Sequence, residues 1–413
     1  MIRLAPGSPA WLAALCAARL LAATWFVAWS AVLAPVQAEW SLTGREAGLV
    51  QAAFHAGYLL SLFVVGFLAD RGGAKRAWLT TGIAAWVTPF LFVAFAEGFA
   101  SACALHFLTG LAQGGSYTPL LALVAEHVPR ERRARAMGWV IAASSAGYAL
   151  ALTVAAVALA AAGWRTTLAA IALMPLVAWL VALAALAHTP NTVHAQPAGA
   201  SPLASLRALV RNRRGVLSIL GYSFHNWELL GLWAWLPAFL TAALAAGGAR
   251  AAEAAAAAVA LSALSYLANV AGSVTGGAMA DRIGRTRAIL VWSVASLAIS
   301  FSIGWLVAAP LALVIVLACA HNFTAIADSA THSTVLAESV PPHMLGVAYA
   351  VRSVLGFGAG VASPVVFGWT LDAVGGGPQT TDPVAWGLAW ATLGAGAFCG
   401  PIATWRLHRA MRP

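Results

Sequence analysis

The chain has 413 residues; 61% of them are hydrophobic, only 9% are charged, and the mean hydropathy is +0.83. An ordinary soluble domain carries roughly 25% charged residues, so this composition excludes a water-soluble enzyme and a disordered chain. Because about 20 apolar residues cross a bilayer, twelve spans joined by short loops would take up nearly the whole length.

The net charge of +10 would suggest a nucleic-acid partner if the protein were soluble. In a membrane protein the basic residues collect in cytoplasmic loops, so we expect no nucleic-acid partner. The four cysteines, Cys16, Cys103, Cys319 and Cys399, fall in apolar runs and have no CxxC spacing. Neither a disulfide framework nor a zinc site is therefore indicated, and we expect no cofactor. The expected partners are the lipid bilayer, a small-molecule substrate and protons, and we expect a monomer.

Twelve apolar runs are long enough to cross a bilayer. We expect them to be helices, because lipid offers no water to pair with exposed backbone groups. Their approximate bounds are 11–36, 47–69, 77–97, 100–124, 136–161, 164–187, 215–243, 255–280, 287–308, 310–337, 345–371 and 384–405. The first run is too long for the core of a signal peptide, so we interpret it as an uncleaved span.

The basic residues are distributed unevenly between alternate loops. If the N-terminus is cytoplasmic, the cytoplasmic segments hold 18 of the 23 Lys and Arg residues, and the opposite side holds Arg45, Arg165 and Arg250. The remaining two, Arg19 and Arg352, lie inside predicted spans. This asymmetry predicts a multi-pass protein of a cell inner membrane with both termini in the cytoplasm.

The polar segment 188–214 separates six predicted spans from six. Its Pro, Gly and Ser content is typical of a linker, and its end, 206–214, is typical of a basic segment at the cytoplasmic surface. The sequence therefore predicts an N-terminal six-helix bundle at 1–187, a cytoplasmic linker at 188–214 and a C-terminal six-helix bundle at 215–413.

The two predicted halves contain matching motifs. GFLADRGG at 66–73 corresponds to GAMADRIG at 277–284, with an offset of 211 residues. AEHVP at 125–129 corresponds to AESVP at 337–341, with an offset of 212 residues. Two independent matches at nearly one offset predict that the halves are structurally equivalent.

These motifs resemble the loop signature between helices 2 and 3 of the major facilitator superfamily of secondary transporters, roughly G-x-L-a-D-r-x-G-r-k. In the first copy the basic residues Lys75 and Arg76 lie one place later than in the commonest form. The resemblance covers the whole chain. It implies an all-α membrane protein with 12 transmembrane helices in two pseudo-symmetric six-helix bundles, and a transporter rather than an enzyme.

The resemblance also implies a gate. In the family the two motif aspartates face the starts of helix 11 and helix 5 at the cytoplasmic side, where a helix N-terminus attracts negative charge. Such contacts would favour the outward-open state, although for the arginines the positive-inside distribution is an alternative explanation. The candidate gating residues are Gly66, Asp70, Arg71, Gly73, Arg76, Gly277, Asp281, Arg282 and Gly284.

Two positions depart from the family pattern. In helix 4, His106 stands where the family often carries an arginine, which puts the family role of that arginine in doubt. In helix 5, the stretch 138–147 has no Gly-Pro motif of the kind found in drug–proton antiporters. This absence argues against an antiporter of that group.

Arg19 and Arg352 lie about two turns into helices 1 and 11, near the predicted cytoplasmic end. A charge inside lipid costs at least about 2.5–3.5 kcal/mol on insertion scales, so its presence needs a reason. Each arginine either snorkels to the cytoplasmic surface or faces the central cavity and binds an anionic substrate.

Helices 7 and 10 carry the predicted proton-coupling carboxylates, Glu228 and Asp328. His225 lies three residues before Glu228, so it shares a helix face with Glu228 and can hydrogen-bond this carboxylate. On helix 10 a polar stripe that cannot face lipid consists of His321, Thr324, Asp328 and His332.

Further polar residues at helical spacing complete the candidate binding set. For each single residue, hydrogen bonding between helices is the commoner explanation. The substrate-binding candidates are Arg19, His55, Tyr58, His106, Gln113, Tyr117, His225, Asn226, Trp227, Tyr266, Asn269, His321, Asn322 and Arg352. The mid-span histidines make a transition-metal substrate conceivable, but there are only 6 methionines and no His-rich tract, so we expect no metal site.

Together these features predict a secondary active transporter of a small polar, anionic organic solute. It would work by proton-coupled symport, with alternating access around a site between the halves. An alternative is a proton-driven exporter of amphipathic compounds, suggested by the 18 tryptophans. A transporter-like sensor would need a soluble signalling extension, and the longest polar segment is only about 27 residues. Neither an enzyme nor an ATP-driven pump is indicated, because the GxSxG, HExxH and P-loop motifs are missing from the sequence.

Overall fold

A computed structural model describes residues 4–193, 202–341 and 344–412 of the chain. These residues form helices joined by short connections, and none of them lies in a β-strand. The prediction of an all-α protein is therefore confirmed. Gly66 and the side chain of Asp70, two predicted gating positions, are outside what the structure describes beyond their helical backbone.

Seven helices form the first part of the chain. They are α1 (Pro9–Ala23), α2 (Ala28–Trp40), α3 (Gly44–Gly72), α4 (Ala74–Phe95), α5 (Phe99–Gln113), α6 (Thr118–His127) and α7 (Arg130–Leu186). Short 3-10 turns at Thr24–Val27 and Gly114–Ser116 connect α1 to α2 and α5 to α6. Helix α7 consists of two helices joined at Gly163, where a φ of 75° interrupts the helical path.

Nine helices follow in the described residues from 202 onward, the first of them within the predicted linker. They are α8 (Pro202–Arg211), α9 (Arg213–Ala246), α10 (Ala251–Ile283), α11 (Arg285–Ser300), α12 (Leu311–Ala327), α13 (Ser329–Ser339), α14 (Leu345–Gly375), α15 (Pro383–Ala397) and α16 (Cys399–Met411). Asp328 is the single residue between α12 and α13.

Each predicted span coincides with a helix or with consecutive helical segments. By length and apolar composition, seven helical segments of the described residues can cross a membrane. One of them, Arg135–Leu186, has 52 residues and contains two predicted spans, one on each side of Gly163. The number of twelve crossings stays a prediction.

The chain divides into two compact units. The first comprises 1–41 and 53–196, and the second comprises 42–52 and 197–413. The start of α3 therefore packs with the second unit, whereas the rest of this helix packs with the first.

In the first unit a hydrophobic cluster lies between α1, α6 and the ends of α7. Trp11, Leu15, Val124 and Leu186 are buried within it. The indole Nε1 of Trp11 also donates a 2.9 Å hydrogen bond to the hydroxyl of Thr189. This bond ties the chain that follows α7 to the start of α1.

In the second unit an aromatic core packs α9 against α14 and α15. Phe239 meets Trp390 at 5.3 Å between ring centroids, and Phe367 meets the same indole at 5.7 Å. Trp235 stacks on Phe367 at 5.1 Å and an interplanar angle of 16°. These contacts fix the part of α9 that follows the candidate site residues His225 and Glu228.

The two motif repeats have the same backbone conformation. Gly73 has φ 84° and ψ 149°, and Gly284 has φ 91° and ψ 143°. This region of φ and ψ is essentially restricted to glycine. The helix on either side of each motif is therefore interrupted by the same sharp turn, as the sequence match implies. In the second unit Arg285, which directly follows the first motif, pairs with Glu338 of the second motif.

The predicted linker contains helix α8. Its Leu209 is buried in a cluster around Leu336. The side chain of Asn212 then accepts a 3.0 Å hydrogen bond from the backbone N–H of Gly215, which caps α9. The basic end of the linker is thus a short amphipathic helix leading directly into α9.

Candidate functional site

In the first unit Arg19 is held inside the helix bundle. Its exposed fraction is 6%. Its Nε donates to the hydroxyl of Ser144 at 2.7 Å, and its Nη1 donates to Ser116 at 2.8 Å. The guanidinium carbon lies 4.9 Å from the ring centroid of Tyr117. The guanidinium of Arg19 is therefore bound by polar and aromatic groups of the first unit. It is buried inside this unit and does not extend to a surface.

The histidines of the first unit lie among aromatic rings. The ring centroid of His106 lies 4.9 Å from Phe54 and 5.4 Å from Phe92. The ring of His55 lies 5.5 Å from Phe26, which also meets Tyr58 at 6.0 Å. These candidate residues are buried in an aromatic cluster rather than brought together with Arg19.

Gln113 links two helices of the first unit. Its side-chain amide donates a 3.1 Å hydrogen bond to the backbone carbonyl of Ala85 on α4. This bond is the interhelical kind that the sequence offered as the alternative to substrate binding.

In the second unit Asp328 lies between two histidines. The Nδ1 of His225 on α9 is 3.0 Å from Oδ1 of Asp328, and the Nε2 of His332 on α13 is 3.5 Å from Oδ2. All three residues are buried, with exposed fractions of 7%, 1% and 3% for His225, Asp328 and His332. Their candidate ligand atoms lie within 4.8 Å of one another, so the group could also hold a metal ion. We call these three residues the Asp328 cluster.

Glu228 belongs to a separate group. Its Oε1 accepts hydrogen bonds from the hydroxyls of Ser296 at 2.7 Å and Ser300 at 2.6 Å, both on α11. The Nε2 of His321 lies 3.1 Å from the same oxygen. We call these four residues the Glu228 cluster.

The expected pairing of Glu228 with His225 is wrong. His225 pairs with Asp328, whereas Glu228 pairs with His321. Three residues advance a helix by about 300°, so the two side chains of α9 diverge by about 60°. That angle is enough to direct them at different neighbouring helices.

Arg352 on α14 stacks on an aromatic ring. Its guanidinium carbon lies 3.5 Å from the ring centroid of Tyr222 on α9 and 5.7 Å from that of Tyr349. Its Nε is buried and has no hydrogen-bond partner among the described residues. The ring of Tyr222 also lies 6.0 Å from that of His332, so Arg352 borders the Asp328 cluster. The other predicted arginine is thus held by stacking and keeps hydrogen-bonding capacity.

The remaining candidates of the second unit have diverse surroundings. Trp227 donates from Nε1 to the backbone carbonyl of Thr392 at 3.0 Å, which packs α9 on α15. Asn322 accepts from Trp233 at 3.2 Å and donates to Ser265 at 3.0 Å, as an interhelical bridge.

Three further candidates lie on α9 and α10. Asn226 is buried next to Gly356 of α14. Tyr266 meets the ring of Trp233 at 5.6 Å. Asn269 is fully buried, and neither atom of its amide has a hydrogen-bond partner among the described residues.

A small cavity adjoins both clusters. Its walls include His225, Glu228, Ser296, Asp328 and His332. Its volume of about 10 Å³ is close to what one water molecule needs. The two clusters therefore share one polar pocket inside the second unit.

Several of these contact residues were missed by the sequence reasoning. Ser296 and Ser300 are four residues apart on a predicted helix, and this spacing was the available signal. Ser116 and Ser144 had no such signal, since small polar residues are common in membrane helices. Tyr222 could have been found from its position three residues before His225.

The described gating candidates lie at helix ends. Gly73 and Gly284 form the positive-φ turns, and Arg71 and Arg76 flank the first of them with exposed side chains. In the second repeat, Asp281 and Arg282 are exposed at the end of α10, and Gly277 has open space around it. Their gating roles stay predictions.

Known proteins with similar sequences and structures fit this architecture. The chain is 24% identical over 402 residues to a probable sulfoacetate transporter of Cupriavidus necator, covering 90% of this chain and 89% of that protein. It is 26% identical over 345 residues to a probable 4-methylmuconolactone transporter of Cupriavidus pinatubonensis, covering 79% and 76%.

Among solved structures, a bacterial homologue of the human lysosomal transporter Spinster superposes with a TM-score of 0.76. The match covers 98% of both chains at 16% sequence identity, so it speaks for the fold alone. The family model for the Major Facilitator Superfamily matches residues 14–264, more than half of the chain. The protein is a membrane transporter that belongs to the Major Facilitator Superfamily.

Proposed function

We propose that the protein carries a small organic anion across the inner membrane by alternating access, in symport with protons. One relative is named for sulfoacetate, an organic anion, and it matches nearly the whole chain. These relatives differ from this chain at about three positions in four. The substrate class is therefore inferred from the residues of this chain.

The main support for an anionic substrate is that Nε of Arg352 is buried and has no hydrogen-bond partner among the described residues. A guanidinium inside an apolar bundle is costly unless its donors are paired. Stacking on Tyr222 at 3.5 Å offsets part of that cost, but Nε remains buried without a partner among the described residues. An anionic group of a substrate would supply the missing acceptor.

Arg19 gives the first unit a comparable group. Two serine hydroxyls accept from its Nε and Nη1, and both are neutral, so the positive charge is not compensated by them. An arginine held by neutral partners can still attract an anion. Within the part of the chain that the structure describes, each unit thus contains an arginine without a negatively charged partner at its guanidinium, buried in the first unit and half-buried in the second, and both favour an anionic substrate.

The proposed site of proton coupling is Glu228 with His321. The Oε1 of Glu228 accepts from two hydroxyls and lies 3.1 Å from the imidazole Nε2, within hydrogen-bond distance of a second group that can carry a proton. A group that binds a proton on one side of the membrane and releases it on the other is what a symporter requires. The coupling role of Asp328 stays a prediction.

An exporter of amphipathic compounds has less support. Six tryptophans are among the largest fully buried side chains, namely Trp11, Trp25, Trp29, Trp235, Trp386 and Trp390. They pack the interiors of the two units rather than lining an open surface. Packing therefore accounts for these six of the 18 tryptophans.

The proposal predicts a specific response at Arg352. In a thermal-shift screen of the purified protein, carboxylates and sulfonates with a net negative charge should stabilise the wild type, whereas neutral sugars, zwitterionic amino acids and cationic drugs should not. Arg352→Ala should weaken binding of the identified anion at least about tenfold, and Arg352→Lys should weaken it less, because lysine keeps the charge but loses the planar fork.

The matched control is Arg250→Ala, since Arg250 is exposed and pairs with Glu253 at the start of α10. Its affinity for the anion should equal that of the wild type. Normal anion binding by Arg352→Ala would contradict the proposed substrate class.

A further inference from the structure

We infer that His225, Asp328 and His332 form a binding site for a divalent transition-metal ion, with Zn²⁺ as the ion that suits the donors best. Two imidazoles and one carboxylate are typical zinc ligands, whereas Mg²⁺ and Ca²⁺ prefer oxygen donors alone. The sequence argued against a metal because it has no His-rich tract. The tertiary structure assembles the donors from α9 and α13 and from the residue between α12 and α13.

The donor atoms of the three residues lie close together. Nδ1 of His225 is 3.0 Å from Oδ1 of Asp328, and Nε2 of His332 is 3.5 Å from Oδ2 of Asp328. One ligand atom from each residue gives a set whose members lie within 4.8 Å of one another. In a tetrahedral site with bonds of about 2.0–2.1 Å the ligand atoms lie about 3.3 Å apart, so an ion would draw these donors closer together. Three protein ligands leave a fourth position, and the adjoining cavity of about 10 Å³ has room for a water molecule there.

Both oxygens of the Asp328 carboxylate face imidazole nitrogens, Oδ1 that of His225 and Oδ2 that of His332. A divalent ion bound by the three residues would change the net charge of the cluster from −1, with neutral imidazoles, to +1.

Arg352 allows a test of whether a positive ion binds in the Asp328 cluster, because a nearby positive charge should lower the affinity for such an ion. Its guanidinium and the ring of His332 both lie against Tyr222, so a metal ion in the cluster would be repelled by this arginine. Removing the positive charge should therefore strengthen metal binding. A substitution that merely disturbed the packing of the cluster would weaken it.

The experiment uses the full-length protein in detergent after removal of any affinity tag, titrated with Co²⁺ as a coloured substitute for Zn²⁺. The wild type should develop a visible absorption band at one Co²⁺ per chain, and Zn²⁺ should displace it and raise the unfolding temperature. His332→Ala should lower the Co²⁺ affinity at least about tenfold. Arg352→Gln should raise it, and the exposed His188→Gln should match the wild type.

A second variant separates ligation from a structural role. In His332→Cys a thiolate would replace the imidazole, and Co²⁺ should then produce a sulfur-to-metal charge-transfer band that the wild type lacks. This variant decides the matter if His332→Ala does not fold. The inference is overturned if the wild type shows no Co²⁺ band, if His332→Ala binds Co²⁺ as tightly as the wild type, or if folded His332→Cys gives no new band.

Discussion

At the scale of single residues, each buried carboxylate of the second unit has its own histidines. Glu228 lies with His321 and two serines, and Asp328 lies with His225 and His332. The surroundings differ, because Glu228 has two serine hydroxyls and one imidazole at a single oxygen, whereas Asp328 has one imidazole at each of its two oxygens.

The Glu228 cluster leads to a prediction on coupling. Glu228→Gln should abolish solute accumulation driven by a pH gradient, because the amide cannot take up or release the proton. Exchange of solute down its own gradient should remain, since the hydroxyls of Ser296 and Ser300 can still donate to the amide oxygen. Uptake into proteoliposomes, with and without an imposed pH gradient, measures both activities.

Glu97→Gln provides the control for this experiment, since Glu97 is exposed between α4 and α5. It should behave as the wild type in both assays. Undiminished gradient-driven accumulation in Glu228→Gln would exclude this carboxylate as the coupling group.

At the scale of elements, the start of α3 crosses α14 at very short range. A Cβ on Gly44 would lie 2.5 Å from the carbonyl oxygen of Gly368, and one on Gly48 would lie 2.4 Å from that of Pro364. Gly44 and Gly48 are four residues apart and so lie on one helix face. Their small size lets the two backbones touch, as small residues do at helix crossings in membranes.

The crossing predicts that Gly48→Ala destabilises the protein. The added methyl group would meet backbone rather than a movable side chain, which typically costs about 1–3 kcal/mol. Gly358→Ala on α14 is the matched control, because no atom lies within 4 Å of its added Cβ. Thermal unfolding followed by tryptophan fluorescence should show a lower midpoint for Gly48→Ala alone. Equal midpoints for the two variants would contradict the close crossing.

The carboxylate of Asp372 on α14 hydrogen-bonds the start of α3 at the same crossing. Oδ1 of Asp372 accepts from the backbone N–H of Gly44 at 2.6 Å, and Oδ2 accepts from that of Arg45 at 2.7 Å. The first N–H groups of a helix have no partner within it and favour negative charge. Asp372 near the end of α14 thus caps α3, although the two segments are more than 300 residues apart in the chain.

We predict that Asp372→Ala lowers the free energy of unfolding by about 1 kcal/mol, the usual cost of losing a helix cap. Asp372→Asn should cost less, because the amide oxygen still accepts one bond while the charge is lost. The order of the two unfolding midpoints checks this account. If both variants unfold like the wild type, the cap contributes nothing to stability.

At the scale of the whole molecule, the chain consists of two units that carry the same motif with the same backbone. Gly73 and Gly284 turn the chain identically, and each follows an aspartate by three residues. The family resemblance assigns gating to the aspartates of these motifs. For Asp70 this assignment rests on the sequence.

The gating proposal predicts the behaviour of Asp70→Asn. Transport should fall while insertion and folding remain normal, because the variant loses the negative charge that would face a helix N-terminus. Cysteines placed on the cytoplasmic side should react faster with a membrane-impermeant reagent. Glu253→Gln, an exposed change at the start of α10, should alter neither readout. Full transport with unchanged cysteine reactivity in Asp70→Asn would contradict the gating role.

The sequence by itself determined the class of the protein and the positions of its long apolar helices, whereas helix α8 lies in the segment predicted as a linker. Helical hydrogen bonds are local in the chain, and lipid demands that backbone groups be paired, so apolar length alone locates helical segments. Composition likewise identified Arg19 and Arg352 as exceptional, because a charge within an apolar run is visible without any structure. The motif repeat is also a pattern along the chain, so it indicated the family without any structure.

The tertiary structure alone decided which partners these residues meet. Helical spacing says that His225 and Glu228 lie on one side of α9, but it cannot say which neighbouring helix each side chain reaches. The partner depends on how α9 packs against α11, α12 and α13. This packing directs Glu228 to α11 and α12, and it directs His225 to Asp328, the residue between α12 and α13. The cap of α3 by Asp372 likewise joins distant segments, since packing and electrostatics act through space while a sequence pattern records only neighbours along the chain.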